Sequence, residues 1–172
     1  MNLSMNWLAD FVPASKDIKI KDYCDRMTDT GSKVEGYEIL GEEIDNVIVA
    51  RVVSMARHEN SDHLCVCQCD IGGGNIVQIV TGAQNVTEGA IVPAAVATAK
   101  LPGDITIKAG KLRGVESNGM LCSIGELGLT ENEMPGANNE GILLLGKDFE
   151  DKVGQNILDA LMLRDKIGRA HV

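Results

Sequence analysis

Lys111 and Arg113 stand two residues apart in the run Lys111-Leu112-Arg113-Gly114-Val115-Glu116-Ser117-Asn118-Gly119-Met120-Leu121-Cys122-Ser123. On an extended strand that spacing puts both cations on one face. There they can meet the phosphates of a polyanion, or stand in solvent beside local acids, and spacing alone favours the solvated face. Gly114 suits a bulge or the close approach of another backbone. Asn118-Gly119 is the strongest short turn signal in the chain.

A second constellation runs from His58 to Asp70, with His58, His63, Cys65, Cys67 and Cys69. Its residue types invite a metal, but its spacing does not. Same-face neighbours on a strand sit roughly 6.6 Å apart, whereas a tetrahedral zinc with bonds of about 2.3 Å needs its sulfurs within about 4 Å of one another. No Cys-x-x-Cys turn is present. Small apolar thiols packed in a barrel wall fit the alternation better, and no metal ligand is assigned. Asn60-Ser61-Asp62 reads as a polar turn.

The third stretch, Thr81-Gly82-Ala83-Gln84-Asn85-Val86, follows an apolar strand with small and amide side chains. Asn85 can hydrogen-bond a base edge or close its own loop. No phosphate-binding glycine loop, serine elbow, HExxH or kinase set occurs. Cys122 has no base beside it in sequence, so no catalytic residue is assigned.

The elements that must position these residues change character along the chain. Residues 1–38 read as two short helices. Ser4 is an N-cap for a turn carrying Trp7, Leu8 and Phe11, which Pro13 ends. Ile20, Tyr23, Cys24 and Met27 then recur at helical spacing, with Gly31 placed to terminate them. Residues 39–153 read as short strands over 47–53, 64–71, 76–81, 91–96, 105–107, 120–122 and 142–145, separated by turn residues. The segment 130–140, with Pro135 and Gly136, reads as a surface loop. Helical spacing returns over 154–166 with Ile157, Leu158, Leu161 and Met162. Residues 167–172 fit neither pattern and read as an appended tail. The fold class is mainly β with flanking α: an OB-like five-stranded barrel inserted in a small helical module.

The bulk numbers are those of a globular chain: 172 residues, 44% hydrophobic and 24% charged. No apolar run approaches the ~18 residues of a membrane span and no leader pattern opens the sequence. The five cysteines form no staple-like set. A cytoplasmic protein with reduced thiols is expected. The formal net charge of −9 opposes a nucleic-acid role. Between Ile39 and Glu150 there are 7 Lys and Arg against 15 Asp and Glu, and no aromatic occurs between Leu40 and Asp148 apart from His58 and His63. Each absent base stack forgoes about 1–3 kcal/mol, so RNA binding by this chain is expected to be weak and salt-sensitive.

Together, Ser4–Leu8, Thr28–Gly36, His58–Asp62, Leu64–Gly72, Ile79–Val86 and Lys111–Ser123 resemble the amino-terminal part of the beta subunit of bacterial phenylalanyl-tRNA synthetases, including its OB-type tRNA-binding domain. The barrel pattern by itself is similar also to methionyl-tRNA synthetases, free-standing tRNA-binding proteins and a small chaperone-like family; the preceding helices select the beta subunit. The resemblance implies a non-catalytic piece of an α2β2 ligase that joins phenylalanine to tRNA with ATP and magnesium. The catalytic centre would lie in the alpha subunit, with editing and anticodon contacts in later beta domains. It also implies a helical module completed after the barrel, which residues 154–166 begin.

Arg51, Lys111 and Arg113 are the candidates for phosphate contact, with Ser117 and Asn85 as neutral RNA contacts. The acidic balance and missing aromatics favour a competing reading, an interaction or assembly module with little RNA contact. A free-standing tRNA-binding or chaperone-like protein is the third.

Overall fold

The computed structural model describes residues 2–12, 18–39, 41–130, 133–134, 136–138, 140–163 and 166–170. The chain forms two compact units, one of residues 1–42 with 162–172 and one of Glu43–Leu161.

In the first unit, strand β1 (Asn2–Ser4) leads into helix α1 (Met5–Phe11), and helix α2 (Ile20–Asp29) precedes strand β2 (Val34–Ile39). Ser4 caps α1 by accepting the Trp7 N–H at 3.0 Å. This satisfies one of the donors a helix start leaves free. The buried face of α1 carries Met5 and Ala9, however, and Trp7 and Phe11 are exposed, with ring centroids 5.0 Å apart. Pro13, expected to end this helix, lies outside the described residues. Helix α2 buries Ile20 and Cys24 against Met5, Leu8, Tyr23 and Val34. Beyond its cap at Thr30, the N–H of Ser32 reaches Met27 O at 2.9 Å and that of Gly31 reaches Thr28 O at 3.1 Å. That bond pair is a Schellman ending, with Gly31 at φ +104° as its left-handed residue.

Residues 167–170, within the segment expected as a tail, lie in strand β11 (Lys166–Ala170). It runs antiparallel between β1 and β2 as the middle of a three-stranded sheet. Two short edges await a partner there, and pairing with them outweighs the weak local signal of the segment. The helix expected over 154–166 is confined to α3 (Ile157–Ala160), which belongs to the second unit. Residues 164, 165, 171 and 172 lie outside the described residues.

The second unit is a strongly bent antiparallel sheet. Its strands are β3 (Asp45–Arg57), β4 (Cys65–Asp70), β5 (Ile76–Thr81), β6 (Ile91–Leu101), β7 (Ile105–Thr106) and β10 (Gly119–Leu121). They run in the order β10-β6-β3-β4-β5, with β7 on β6. Strands β8 (Gly110–Leu112) and β9 (Val115–Ser117) form a separate hairpin. The long strand β3 is shared by both halves. Asp45–Arg51 pairs with β6, Arg51–Arg57 pairs with β4, and each ladder has one irregularity. Such bulges let one strand turn a barrel corner.

Inside lie Ala50, Val52, Cys67, Cys69, Ile79, Val92, Ala94 and Leu121. On β4 burial alternates, so Cys67 and Cys69 face in while Val66, Gln68 and Asp70 are only partly covered, whereas Ile91–Ala95 of β6 is buried throughout. The core is aliphatic and sulfur-lined, as the scarcity of aromatics requires. Ile142–Leu145, expected as a strand, is a buried connection. Leu143 N–H bonds Cys122 O at 3.0 Å and Leu145 N–H bonds Ile91 O at 2.9 Å, with one isolated bridge at Leu145.

The expected five-stranded barrel does not close as a continuous ladder among the described residues: β5 and β10 are the two ends of the path. The gap is spanned by separate hydrogen bonds from residues 116–118. Asn118 N–H donates to Gln78 O at 2.8 Å, Gln78 Nε2 donates to Glu116 O at 2.7 Å, and Val80 N–H donates to Ser117 Oγ at 3.0 Å. The architecture is thus mainly β and OB-like, a partly open barrel.

Candidate RNA-contact site

The cations of the Lys111–Ser123 segment sit on a hairpin that the sequence places one turn too late. The connection between β8 and β9 is the two-residue turn Arg113-Gly114, and both residues have positive φ, 48° and 91°. That is the geometry of a type I′ turn, which matches the twist of short antiparallel strands. Asn118-Gly119, the stronger turn signal, is instead the joint between β9 and β10. A Cβ on Gly119 would stand 2.6 Å from Ala95 O, so glycine is needed there for close approach. Gly114 has nothing within 4 Å of such an atom and serves the turn alone.

Because Arg113 lies in the turn, it does not share a strand face with Lys111. Lys111 faces its cross-strand partner Glu116, Nζ to Oε1 3.9 Å, with both side chains well exposed. Such a pair holds little energy in water and leaves the ammonium accessible to a phosphate. Arg113 donates from Nη1 to Asn60 O at 3.2 Å.

His58 is buried beneath this contact, 4% exposed. Its Nδ1 accepts the Asn60 N–H at 3.0 Å, and its Nε2 lies 3.0 Å from Leu112 O. The ring is thus a structural tie between the 58–63 turn and the hairpin. In that turn Ser61 Oγ accepts the His63 N–H at 3.4 Å.

Arg57 ends β3 immediately before His58 and is exposed. Sequence reasoning passed over it; the signal was available, since it directly precedes a histidine in a polar turn. The backbone of Arg57 adjoins His58, whose ring meets Leu112 of the hairpin. Arg51 stands six residues earlier on β3, roughly 20 Å along an extended strand. There it lies between Asp70 and Ile91 in register, with Nη2 4.0 Å from Glu150 Oε2. The positive side chains are not gathered on a single lip.

The two neutral candidates are occupied by the fold. Ser117 is 5% exposed; it accepts from Val80 N–H and donates to Gly119 O at 3.0 Å. Asn85 acts as a strand segment in miniature: Nδ2 donates to Ile142 O at 2.8 Å and Oδ1 accepts the Ile142 N–H at 3.1 Å.

Three thiols of the second unit, Cys67, Cys69 and Cys122, are buried. Burial pushes Cys67 up to about 11, and Cys69 and Cys122 up to about 12, so all three stay protonated near neutrality. No group of three or more His, Cys, Asp or Glu is placed to hold a metal ion among the described residues. A cleft of about 600 Å³ on α2, lined by Tyr23, Arg26 and Met27 among others, contains none of the candidate residues.

The unit that carries this hairpin is the part of the chain that a family model matches. The family model described as "Putative tRNA binding domain" matches residues 47–152. A phenylalanine–tRNA ligase beta subunit of Symbiobacterium thermophilum is 44% identical over 167 residues, 97% of this chain and 18% of its own length. Those of Clostridium acetobutylicum and Clostridium tetani are 40% and 41% identical over the same share of this chain and 20% of their own length. The chain spans about a fifth of the length of the curated relatives it matches. No helix among the described residues is long and apolar enough to cross a membrane. With a family model covering most of its length, this chain belongs to the tRNA-binding domain family.

Proposed function

We propose that this chain is the amino-terminal segment of the beta subunit of a phenylalanine–tRNA ligase. In this reading the OB-like unit contributes a non-catalytic tRNA contact through the β8–β9 hairpin. The observation that carries the reading is the coincidence of two features. The beta subunits match 97% of the chain, and the matched barrel carries Lys111 and Arg113 on the exposed β8–β9 hairpin. The whole enzyme would act in the cytoplasm, pair this subunit with an alpha subunit and further beta domains, and consume ATP with magnesium. None of those groups is assigned a ligand in this chain.

The contact works by charge. Each phosphate neutralised releases condensed counterions, so affinity falls with salt by roughly 0.7–0.9 log units per log unit of salt for each contact. With no Phe, Tyr or Trp between Leu40 and Asp148, the histidines are the only rings there for base stacking, and of His58 and His63 only His63 is exposed. Titrating labelled tRNA into the chain at two salt concentrations tests this. Lys111→Ala with Arg113→Ala is expected to weaken binding and flatten the salt dependence; unchanged affinity refutes the contact.

A second reading, an assembly module with little RNA contact, is supported by the acidic balance of residues 39–150 and by exposed Trp7 and Phe11 in the first unit. Under it, tRNA fails to bind the chain at low salt.

A further inference from the structure

We propose that His58 is the positioning residue of this RNA contact, holding the β8–β9 hairpin so that Lys111 and Arg113 are presented in one place. The inference rests on the tRNA reading above.

The hydrogen bonds fix the chemistry of the ring. The backbone N–H of Asn60 points at Nδ1, so Nδ1 accepts and carries no proton. In the neutral ring the proton is then on Nε2, and Nε2–H donates to Leu112 O. Leu112 is the last residue of β8 and Arg113 the first of the turn, so the tie grips the hairpin at its tip. The second tie, Arg113 Nη1 to Asn60 O, is exposed to solvent. It also uses the guanidinium that a phosphate would compete for.

The hairpin needs an anchor. Its strands are three residues each, and a two-stranded hairpin of that length is at best marginal in water. Its base is secured where Ser117 and Gln78 join it to β5. At its tip, the buried tie is the one from His58. Freed there, the tip would sample many positions, and each phosphate contact would first have to order it. Binding strength is lost to such ordering without any loss of contact groups.

Two substitutions separate the two ring nitrogens. In His58→Gln the amide N–H stands near the place of Nε2 and keeps the donor to Leu112. In His58→Asn the amide oxygen stands near the place of Nδ1 and keeps the acceptor for Asn60, but nothing reaches Leu112. Hydrogen exchange of the hairpin amides and tRNA affinity are measured on the 172-residue chain. His58→Asn is expected to speed exchange at the hairpin tip, lower affinity about five- to tenfold and reduce the salt dependence. His58→Gln is expected to restore affinity to within about twofold of the parent.

Equal losses in both variants make the ring a packing group and overturn the proposal, as does unchanged exchange in His58→Asn. Faster exchange with unchanged affinity also overturns it. In that case the Lys111→Ala, Arg113→Ala protein decides what else falls: if it binds like the parent, the RNA reading goes too; if it binds weakly, only the role of His58 is lost.

Discussion

The hydroxyl of Ser117 takes the place of a strand carbonyl at Val80, accepting its N–H at 3.0 Å where β5 and β10 share no ladder. The same oxygen donates to Gly119 O, so both its hydrogen-bonding roles are spent inside the barrel seam. Ser117→Ala leaves a buried N–H without its acceptor, a cost of about 1–3 kcal/mol. Urea unfolding is expected to show that loss, while tRNA affinity of the folded protein stays at the parent level. A stable Ser117→Ala protein with weakened RNA binding would return this residue to the contact surface.

Asn85 closes a second seam. Its amide both donates to and accepts from Ile142, and the neighbouring Gly141 has φ +74° with no room for a Cβ beside the Asn85 amide. Asn85→Ala removes both bonds and leaves the Ile142 N–H without its acceptor, while Ile142 O keeps the Asn138 Nδ2 donor at 2.8 Å, and is expected to destabilise the fold by about 1–3 kcal/mol. Asn85→Asp keeps the acceptor and loses the donor, and should fall between. Equal midpoints for parent and Asn85→Ala in denaturant would show that the 141–145 connection is held by burial alone.

Gly114 and Gly119 are expected to respond differently to alanine. At Gly119 the obstacle is a carbonyl oxygen 2.6 Å from the new Cβ, which forces β10 away from β6. Overpacking of that kind costs about 1–3 kcal/mol or more. At Gly114 the space is open and the cost is the left-handed backbone, about 1 kcal/mol. Gly119→Ala should therefore lower the denaturation midpoint more than Gly114→Ala. Gly114→Ala should act mainly on the hairpin, seen as faster amide exchange confined to residues 110–117. The reverse ranking would mean the turn, rather than the seam, limits stability.

These residues also mark how much the sequence disclosed. Strands β3 to β6 were legible as apolar, mostly β-branched runs bounded by turn residues, a local signal that needs no long-range contact. The helices were legible through Ser4 and Gly31, whose capping roles are local. The turn was misplaced because Asn118-Gly119 and Arg113-Gly114 both contain glycine. What separates them is the distance to Ala95 O, a contact between residues 24 apart in sequence. The face of α1 was inverted for a similar reason: Trp7 and Phe11 carry the stronger apolar signal, but the first unit packs Met5 and Ala9. Strand β11 depended on partners more than 120 residues away. Of the candidate site, the charge of Lys111 and Arg113 was visible, but their two-residue spacing misled, because Arg113 lies in the turn and not on the strand face of Lys111. The ties of Ser117 and Asn85 were not, because a polar residue near a barrel mouth looks the same in sequence whether it faces a ligand or a backbone.

The buried thiols give the protein a specific alkaline limit. Cys67, Cys69 and Cys122 have folded-state values of about 11, 12 and 12, raised from an ordinary 9.0 mainly by burial. A raised value means the folded state holds its proton more tightly than the unfolded chain does. Below about pH 9 both states are protonated and the full stability is present. Above pH 9 the unfolded chain releases protons that the folded chain keeps, so stability falls until the folded values are passed near pH 11–12. The loss is at most about 1.4 kcal/mol per pH unit for each thiol. Urea midpoints measured from pH 7 to pH 10.5 are expected to be flat at first and then to drop, and Cys69→Ala should make the drop shallower. The same burial predicts that a thiol-specific disulfide reagent at pH 8 modifies Cys67, Cys69 and Cys122 only as fast as the second unit unfolds. Prompt modification of those three in the native protein would mean the barrel wall opens on its own, and the alkaline drop would then have another source.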